Sequence, residues 1–547
     1  MMKHILTINF VLITIGALES FGTTQFIDVT YEMGIDFVHK NGAQGKRYLP
    51  ETYGSGLVFF DANSDGWYDL YFVNGGRITG LNKAPIVFNQ LYINYSSQHF
   101  VRADENVGVD DSGYGMGAVA ADYNADGHTD LYVTNLGPNV LYENKGDGTF
   151  SKVSTPDSDN SWSTSAAFCD IDLDGDLDLY VANYVEFDLK NPKVCFVGNS
   201  KDRLYCDPRK FDGISDRLYL NSGDAKDWRF IDKTESFGLQ NITGKELGVV
   251  FGDYDQDGDP DLYLANDMTP NALFRNDGDR FVERGLASGT SLNDEGGIEA
   301  GMGVDMADIN GDGLQDIFVT NFQWESNTLY KNIGNGFFVD ATVTSGIHKI
   351  SMPYLGFGTL FLDSDIDGDL DIFVANGHVY DNVKSIDHAS EYAQRNQLLL
   401  NSGDGIFREV IDFNTGGLFV TRGLASCDYD NDGYPDVGLS NNGGPGQLLR
   451  NNSNRDNNWI GVKLIGCVDN TDGIGATVTV VYGSNSLRRE LRTGASYLSG
   501  HDLRLQFGLE EAAQVDTIKV EWPSGNTQSL VHPKINSYVE ITQRKRP

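Results

Sequence analysis

At 547 residues the chain is too long for one ordinary domain and long enough to bury a large core. Hydrophobic residues make up 40% and aromatics 11%, which excludes a disordered chain. The formal charge of −37 disfavours nucleic acid and anionic membrane surfaces as partners, unless bound cations neutralise much of it.

Residues 1–22 read as a signal peptide. Lys3 and His4 precede an apolar run from Ile5 to Leu18, and the small residues Ser20 and Gly22 fit the −3 and −1 positions of a cleavage site. The run falls short of the roughly 20 apolar residues that a bilayer span needs. No other stretch could cross a membrane, so the mature chain is expected to be extracellular or periplasmic, with no membrane insertion. Next comes a lone strand, Gln25-Phe26-Ile27-Asp28-Val29-Thr30, that closely matches Arg229-Phe230-Ile231-Asp232-Lys233-Thr234.

From Asp61 onward a nine-residue pattern, D-x-[DN]-x-D-G-x-x-D, occurs seven times. Each copy lies between two apolar runs that read as buried strands, such as Gly56-Leu57-Val58-Phe59-Phe60 and Leu70-Tyr71-Phe72-Val73-Asn74. A third strand follows, ending at Asn94, Asn144, Asn221, Asn276, Asn332, Asn401 or Asn451. A fourth opens with Phe100, Phe150, Phe230, Phe281, Phe338 or Phe407, and the seventh unit lacks one. The lone N-terminal strand would supply it. The expected fold class is therefore all-β: over 23–455, a seven-bladed β-propeller closed by an N-terminal strand. A small C-terminal β-domain follows over 456–547.

The pattern itself suits a hard divalent cation. Calcium takes six to eight oxygens, and side chains at positions 1, 3 and 5 converge when a loop curls. Glycine at position 6 allows the necessary positive φ, position 7 would offer its carbonyl, and Asp at position 9 would close the site. The predicted ligand sets are Asp61, Asn63, Asp65 and Asp69; Asp122, Asn124, Asp126 and Asp130; and Asp170, Asp172, Asp174 and Asp178. They continue with Asp253, Asp255, Asp257 and Asp261; Asp308, Asn310, Asp312 and Asp316; Asp363, Asp365, Asp367 and Asp371; and Asp428, Asp430, Asp432 and Asp436. About seven structural Ca²⁺ are expected, which would leave a charge of −23 from −37. These loops resemble those of integrin α-subunit propellers and the wider FG-GAP/VCBS repeat family, whose ligands occupy these positions.

Beyond Asn457 the aspartate loops stop and alternating strands begin, as in Thr517-Ile518-Lys519-Val520-Glu521-Trp522. Gly473-Ile474-Gly475-Ala476, Tyr497-Leu498-Ser499, Phe507-Gly508-Leu509 and Trp522-Pro523-Ser524-Gly525 resemble the ASPIC/UnbV domain of the cartilage acidic protein-like family. That resemblance implies an extracellular calcium-binding protein without implying a reaction.

Cys195 and Cys206 are close enough to staple one loop and are predicted as a disulfide, while Cys169 and Cys427 read as buried hydrophobes. His128, at position 7 of its loop, is expected to face solvent. Asn94, Asn241 and Asn451 begin N-x-[ST] sequons, which matter only where the host glycosylates. No nucleophile elbow, HExxH, P-loop or dinucleotide fingerprint is present. Connections meet at the ends of a propeller channel, and there His39, Glu51 and His378 are the candidate face-site residues. Three functions are open: a binding or adhesion module for an extracellular protein or glycan, a lyase or hydrolase at the channel mouth, and a structural matrix or envelope protein.

Overall fold

The computed structural model describes residues 26–544 apart from 156–160, 199, 224–227, 241, 412, 414–416 and 454–456. The predicted signal peptide and the Asn241 sequon lie outside the described residues. The described chain is all-β, with helix confined to short turns such as Gly285–Ser288 and Ile347–Ser351.

Among the described residues, seven four-stranded antiparallel sheets follow one another before the C-terminal unit. The first pairs Leu57–Phe60, Asp69–Phe72, Gln90–Asn94 and Phe100–Arg102 in chain order. The others open with Gly115–Ala121, Ser163–Cys169, Glu246–Gly252, Val304–Ala307, Gly356–Leu362 and Thr421–Cys427. In the seventh sheet the outermost place is taken by Phe26–Asp28, with Phe26 opposite Asn451 and Asp28 opposite Leu449. The lone N-terminal strand thus sits where the missing fourth strand was expected. The third sheet carries an insertion, a small ribbon of Cys195–Phe196 and Arg203–Leu204 held by the Cys195–Cys206 disulfide. Cys169 and Cys427 are buried free thiols, and Cys467 is exposed.

The first strand of each sheet packs against the first strands of its two neighbours, and that of the seventh packs against that of the first. A repeated hydrogen bond follows the same cycle. Each asparagine ending a third strand donates Nδ2 to the main-chain oxygen at position 2 of the preceding sheet's aspartate loop. Asn144 reaches Ala62, Asn221 reaches Tyr123, Asn276 reaches Ile171 and Asn332 reaches Tyr254, at 2.8–2.9 Å. Asn401 reaches Ile309 and Asn451 reaches Ser364 at 2.8 and 2.9 Å. Asn94, in the first sheet, reaches Tyr429 in the seventh at 2.9 Å. Asn94 and Asn451 are both 0% exposed, so neither sequon is open to a glycan in the folded chain.

Residues 459–542 form a second unit of one four-stranded and one three-stranded sheet around Ile460, Val478, Phe507, Ile518 and Trp522. It seats on the aspartate loops. Gly508 N donates to Asp363 at 2.9 Å, Arg489 pairs with the same carboxylate at 3.3 Å, and Tyr538 donates to Asp428 at 2.7 Å. Thr471 donates to Asp122 at 2.7 Å.

From this unit residues 491–502 run into the axis between the first strands. Thr493 accepts from Phe168 N at 2.8 Å, and Ser496 N donates to the Val304 carbonyl at 2.7 Å. The Leu498 and Gly500 carbonyls accept from Ala118 and Phe59, and the Ser496 and Ser499 hydroxyls accept from Thr359 and Leu424. Gly494 lies against Val249 of the fourth sheet, so all seven first strands are touched. The approach is close enough to demand glycine: a Cβ at Gly56 would collide with the Leu498 carbonyl, and Gly494 adopts φ +65° against the Ala167 side chain. Small residues of the inner strands, Gly56 and Gly117 among them, therefore face a plug formed by residues 491–502.

Candidate metal centres and the far end of the axis

Each aspartate loop is shaped by its own carboxylates. The position-1 aspartate accepts the position-6 glycine N–H in every loop, from Gly66 to Asp61 at 2.9 Å through Gly433 to Asp428 at 2.8 Å. Position 5 accepts the N–H of position 7, as in Trp67 to Asp65 at 2.9 Å and Tyr434 to Asp432 at 3.0 Å. The position-6 glycines all have positive φ, from 84° to 99°. Position 4 does too, which the sequence did not signal: Ser64, Ala125, Leu173, Gln256, Gly311, Ile366 and Asn431 lie between 54° and 71°. Two left-handed residues per loop curl the chain. In the four loops whose carboxylates cluster, positions 1 and 3 meet, joined by position 9 in the third, fourth and seventh and by position 5 in the sixth. Asp174, Asp257 and Asp432 thus stand outside the clusters.

Position 9 has a second role. Its Oδ1 accepts the N–H of the third-strand asparagine in all seven sheets, for example Asn94 to Asp69 at 2.7 Å and Asn276 to Asp261 at 2.8 Å. Its other oxygen usually takes the N–H of position 2, as from Ala62 to Asp69 at 2.9 Å. Aspartate at this place is thus required by the sheet as well as by any ion.

In four loops the carboxylates come together as a metal would need. Asp170, Asp172 and Asp178 offer oxygens within 4.8 Å of one another, as do Asp253, Asp255 and Asp261, and Asp428, Asp430 and Asp436. In the sixth loop the set is Asp363, Asp365 and Asp367, while Asp371 accepts from the Ser364 hydroxyl instead. Oδ1 of Asp170, Asp255, Asp363 and Asp365 is buried with no hydrogen-bond partner, as an oxygen reserved for a cation would be. Burial, then neighbouring carboxylates, pushes Asp170 up to about 8. Burial, then Glu490 and Asp257, pushes Asp253 up to about 7. Carboxylates so placed need protons or cations, and an oxygen-only donor set at this spacing fits a hard cation. His128 is only half-buried and sits 3.2 Å from the Ser64 hydroxyl of the neighbouring loop, so it does not face solvent freely.

At the opposite end of the axis the candidate face residues are each held by the scaffold. His39 Nδ1 accepts from Gly443 N at 3.0 Å, its Nε2 is buried without a partner, and burial lowers its pKa to about 3. His378 Nδ1 accepts from Tyr380 N at 3.0 Å, and burial followed by Arg422 lowers it to about 3. Glu51 Oε2 accepts from the Tyr205 hydroxyl at 3.1 Å, Oε1 has no partner, and burial raises it to about 7. Arg422 knits this end together. Fully buried, it donates to the Thr52, Gly377 and His378 carbonyls and lies 3.8 Å from the Phe357 ring centre.

A cavity of about 160 Å³ opens here, where connections from the first, third, fourth, fifth and sixth sheets converge. Its walls include Tyr53, Tyr205, Asp267, Met302, Phe322 and Tyr380, with His39, Glu51 and His378 outside them. Tyr497, at the tip of the plug, supports it from below by donating to the Tyr53 carbonyl at 2.9 Å.

Repeated aspartate loops between paired strands, topped by a separate β-unit, define a class of all-β repeat proteins. The FG-GAP-like repeat family matches residues 61–133, 122–181, 253–319 and 308–374, and the ASPIC and UnbV family matches 466–547. The chain belongs to the FG-GAP-like repeat proteins that carry an ASPIC and UnbV domain. It is 29% identical over 319 residues to cartilage acidic protein 1 of Xenopus tropicalis, covering 56% of this chain and 46% of that protein. Against the Homo sapiens protein of the same name it is 28% identical over 328 residues, covering 57% and 46%. The chain therefore spans about half the length of the curated relatives it matches. Among solved structures, a lectin from Agrocybe aegerita aligns at a TM-score of 0.40 and 14% identity, covering 67% of this chain and 82% of that one. The V. cholerae biofilm matrix protein Bap1 aligns at 0.32 and 11%, covering 93% and 76%. At such scores the fold assignment rests on the strands themselves.

Proposed function

We propose that this chain is a secreted, calcium-loaded seven-bladed β-propeller, closed by its N-terminal strand, that serves as an extracellular binding module with structural calcium. The observation that carries the reading is the convergence of three carboxylates in each of four aspartate loops, with buried oxygens that accept no hydrogen bond in the third, fourth and sixth. Blade number and closure are supported by seven four-stranded sheets whose first strands contact one another in a cycle, and by the asparagine bond from the first sheet to the seventh. An extracellular setting is supported by the Cys195–Cys206 disulfide, the relatives named for cartilage, and the leader-like first 22 residues. No helix among the described residues is long and apolar enough to cross a membrane. His39, Glu51 and His378, the polar residues a lyase or hydrolase would use here, lie outside the cavity wall, which supports binding over catalysis. A protein or glycan partner would meet the end of the axis that the C-terminal unit leaves uncovered.

Calcium counting on the purified chain, with thermal unfolding before and after chelation, tests the reading. About seven ions per chain and a large fall in Tm on chelation are expected, because a ligand of the folded state stabilises it by mass action. Unchanged melting after complete chelation, or one or two ions per chain, would refute it.

A further inference from the structure

The cavity at the uncovered end has a composition that selects its ligand. Asp267 is 4% exposed and lies in the wall. Its Oδ2 accepts from the Tyr53 hydroxyl at 3.0 Å and from the Tyr184 hydroxyl. Among the described residues Oδ1 accepts no hydrogen bond, and the Asp267 side chain lines the cavity. The cavity's one basic lining residue, Arg209, is engaged elsewhere: its guanidinium clasps Asp207 at 2.5 and 3.0 Å. Lys245, whose carbonyl accepts from Asp267 N at 2.9 Å, lowers the Asp267 pKa, yet among the described residues no ion pair joins the two side chains. The remaining walls are mainly apolar and include the rings of Tyr53, Tyr205, Phe322 and Tyr380 and the thioethers of Met268 and Met302. Met268, next to the acid, is held at φ +57°, a conformation that costs free energy in a residue with a side chain.

We propose that this cavity binds a small organic cation, an ammonium head group whose charge meets Asp267 Oδ1 while its methyl or methylene groups lie against the aromatic rings. Rings attract cations through their negative faces, most strongly when water is excluded. A desolvated carboxylate without a cationic partner is a costly feature, and a ligand carrying the missing charge offsets that cost. An anion would have to approach Asp267 with no free arginine to receive it. A neutral sugar would satisfy Oδ1 by a hydroxyl and leave the charge uncompensated. The strongly acidic chain also raises the local concentration of cations. Asp267 is pushed up to about 6 by burial against the opposing pull of the two tyrosine hydroxyls, so a cation should bind better above that pH than below it.

The test is calorimetric titration of the full calcium-loaded chain with choline, ethanolamine and glucose at pH 7.5 and pH 5. The expected result is saturable binding of choline or ethanolamine, at least tenfold weaker at pH 5, and none of glucose. Asp267→Asn should weaken binding at least tenfold. Tyr380→Leu, which strips a ring from the half-buried rim without touching the acid, should weaken it severalfold with an unchanged Tm. Glucose binding that tolerates Asp267→Asn, or no saturable binding of either amine at 50-fold the protein concentration and beyond, would overturn the proposal. Because calcium counting does not involve this cavity, a failure here is separable from a failure of the propeller reading.

Discussion

Replacing Asn94 by alanine should reveal whether the first and last sheets are truly joined. Its Nδ2 donates to Tyr429 across that junction at 2.9 Å and to Tyr68 at 3.2 Å, while Oδ1 accepts from Ser97 at 3.0 Å. Asn276 makes the same set inside the array, to Ile171 at 2.8 Å and Pro260 at 3.3 Å, and accepts from Gly278 at 2.9 Å. Both residues are buried, so alanine strands main-chain carbonyls that no water reaches. A typical hydrogen bond contributes about 1 kcal/mol net, and a buried group left without a partner costs about 1–3 kcal/mol. Each substitution should therefore cost about 2–4 kcal/mol. The assay is urea unfolding in saturating calcium, followed by tryptophan fluorescence and by far-ultraviolet circular dichroism. Equal losses within about 1 kcal/mol are expected, since measured contributions of one bond type scatter by that much. A loss at Asn276 with none at Asn94 would mean that the seventh sheet does not bond to the first in solution, and the cyclic arrangement would fall.

The remaining predictions concern charge, the plug and the loops. Glu246 is 0% exposed with both carboxylate oxygens unpartnered, and burial and then Asp216 raise its pKa. Its strand partner is Asn266; in the third and seventh sheets the equivalent places hold Ser163 and Thr421, whose hydroxyls donate to Asn183 and Asn441. A protonated Glu246 could donate in the same way. An acid whose folded pKa is raised binds more protons folded than unfolded, so it erodes stability as pH rises above its ordinary value near 4.5. Glu246→Gln should therefore flatten the decline in Tm between pH 5 and 8, and an unchanged slope would refute this. Tyr497→Ala removes a ring 5.0 Å from that of Phe357 and a fully buried hydroxyl; it should cost about 3–5 kcal/mol and speed proteolysis near residues 491–502. Leu173→Asn, matching Asn431 at the same loop position, should stabilise by about 1 kcal/mol because asparagine tolerates φ near 56° better than leucine does.

Local features were the legible ones. The aspartate pattern announces itself because each loop bonds within nine residues, and the matching of residues 25–30 to residues 229–234 revealed the displaced strand. The left-handed position 4 stayed hidden because Ser64, Leu173, Gln256 and Ile366 share no chemistry that marks it. Position 9 looked like a simple ligand because its bond to the third-strand asparagine spans an intervening connection, 43 residues in the third sheet. His39 and His378 stand out in the sequence as unusual polar residues, yet burial keeps them neutral and hydrogen bonds hold them in the scaffold. Asp267 carried no sequence signal at all. It is one acid among many, distinguished only when Tyr53 and Tyr184, far from it in the sequence, donate to it in the fold.

The filled axis also bears on how the molecule is made. Residues 491–502 touch strands laid down more than 400 residues earlier, and Phe26–Asp28 pairs with Gly446–Asn451. A chain emerging from its N-terminus meets neither partner until almost all of it has been synthesised. Its first strand must wait unpaired, and the inner strands must stay separable until the last domain arrives to thread them. Contacts of such range slow folding. Maturation of this protein is thus tied to completing its C-terminal unit, and truncations that look confined to a peripheral domain should trap the whole assembly before it locks.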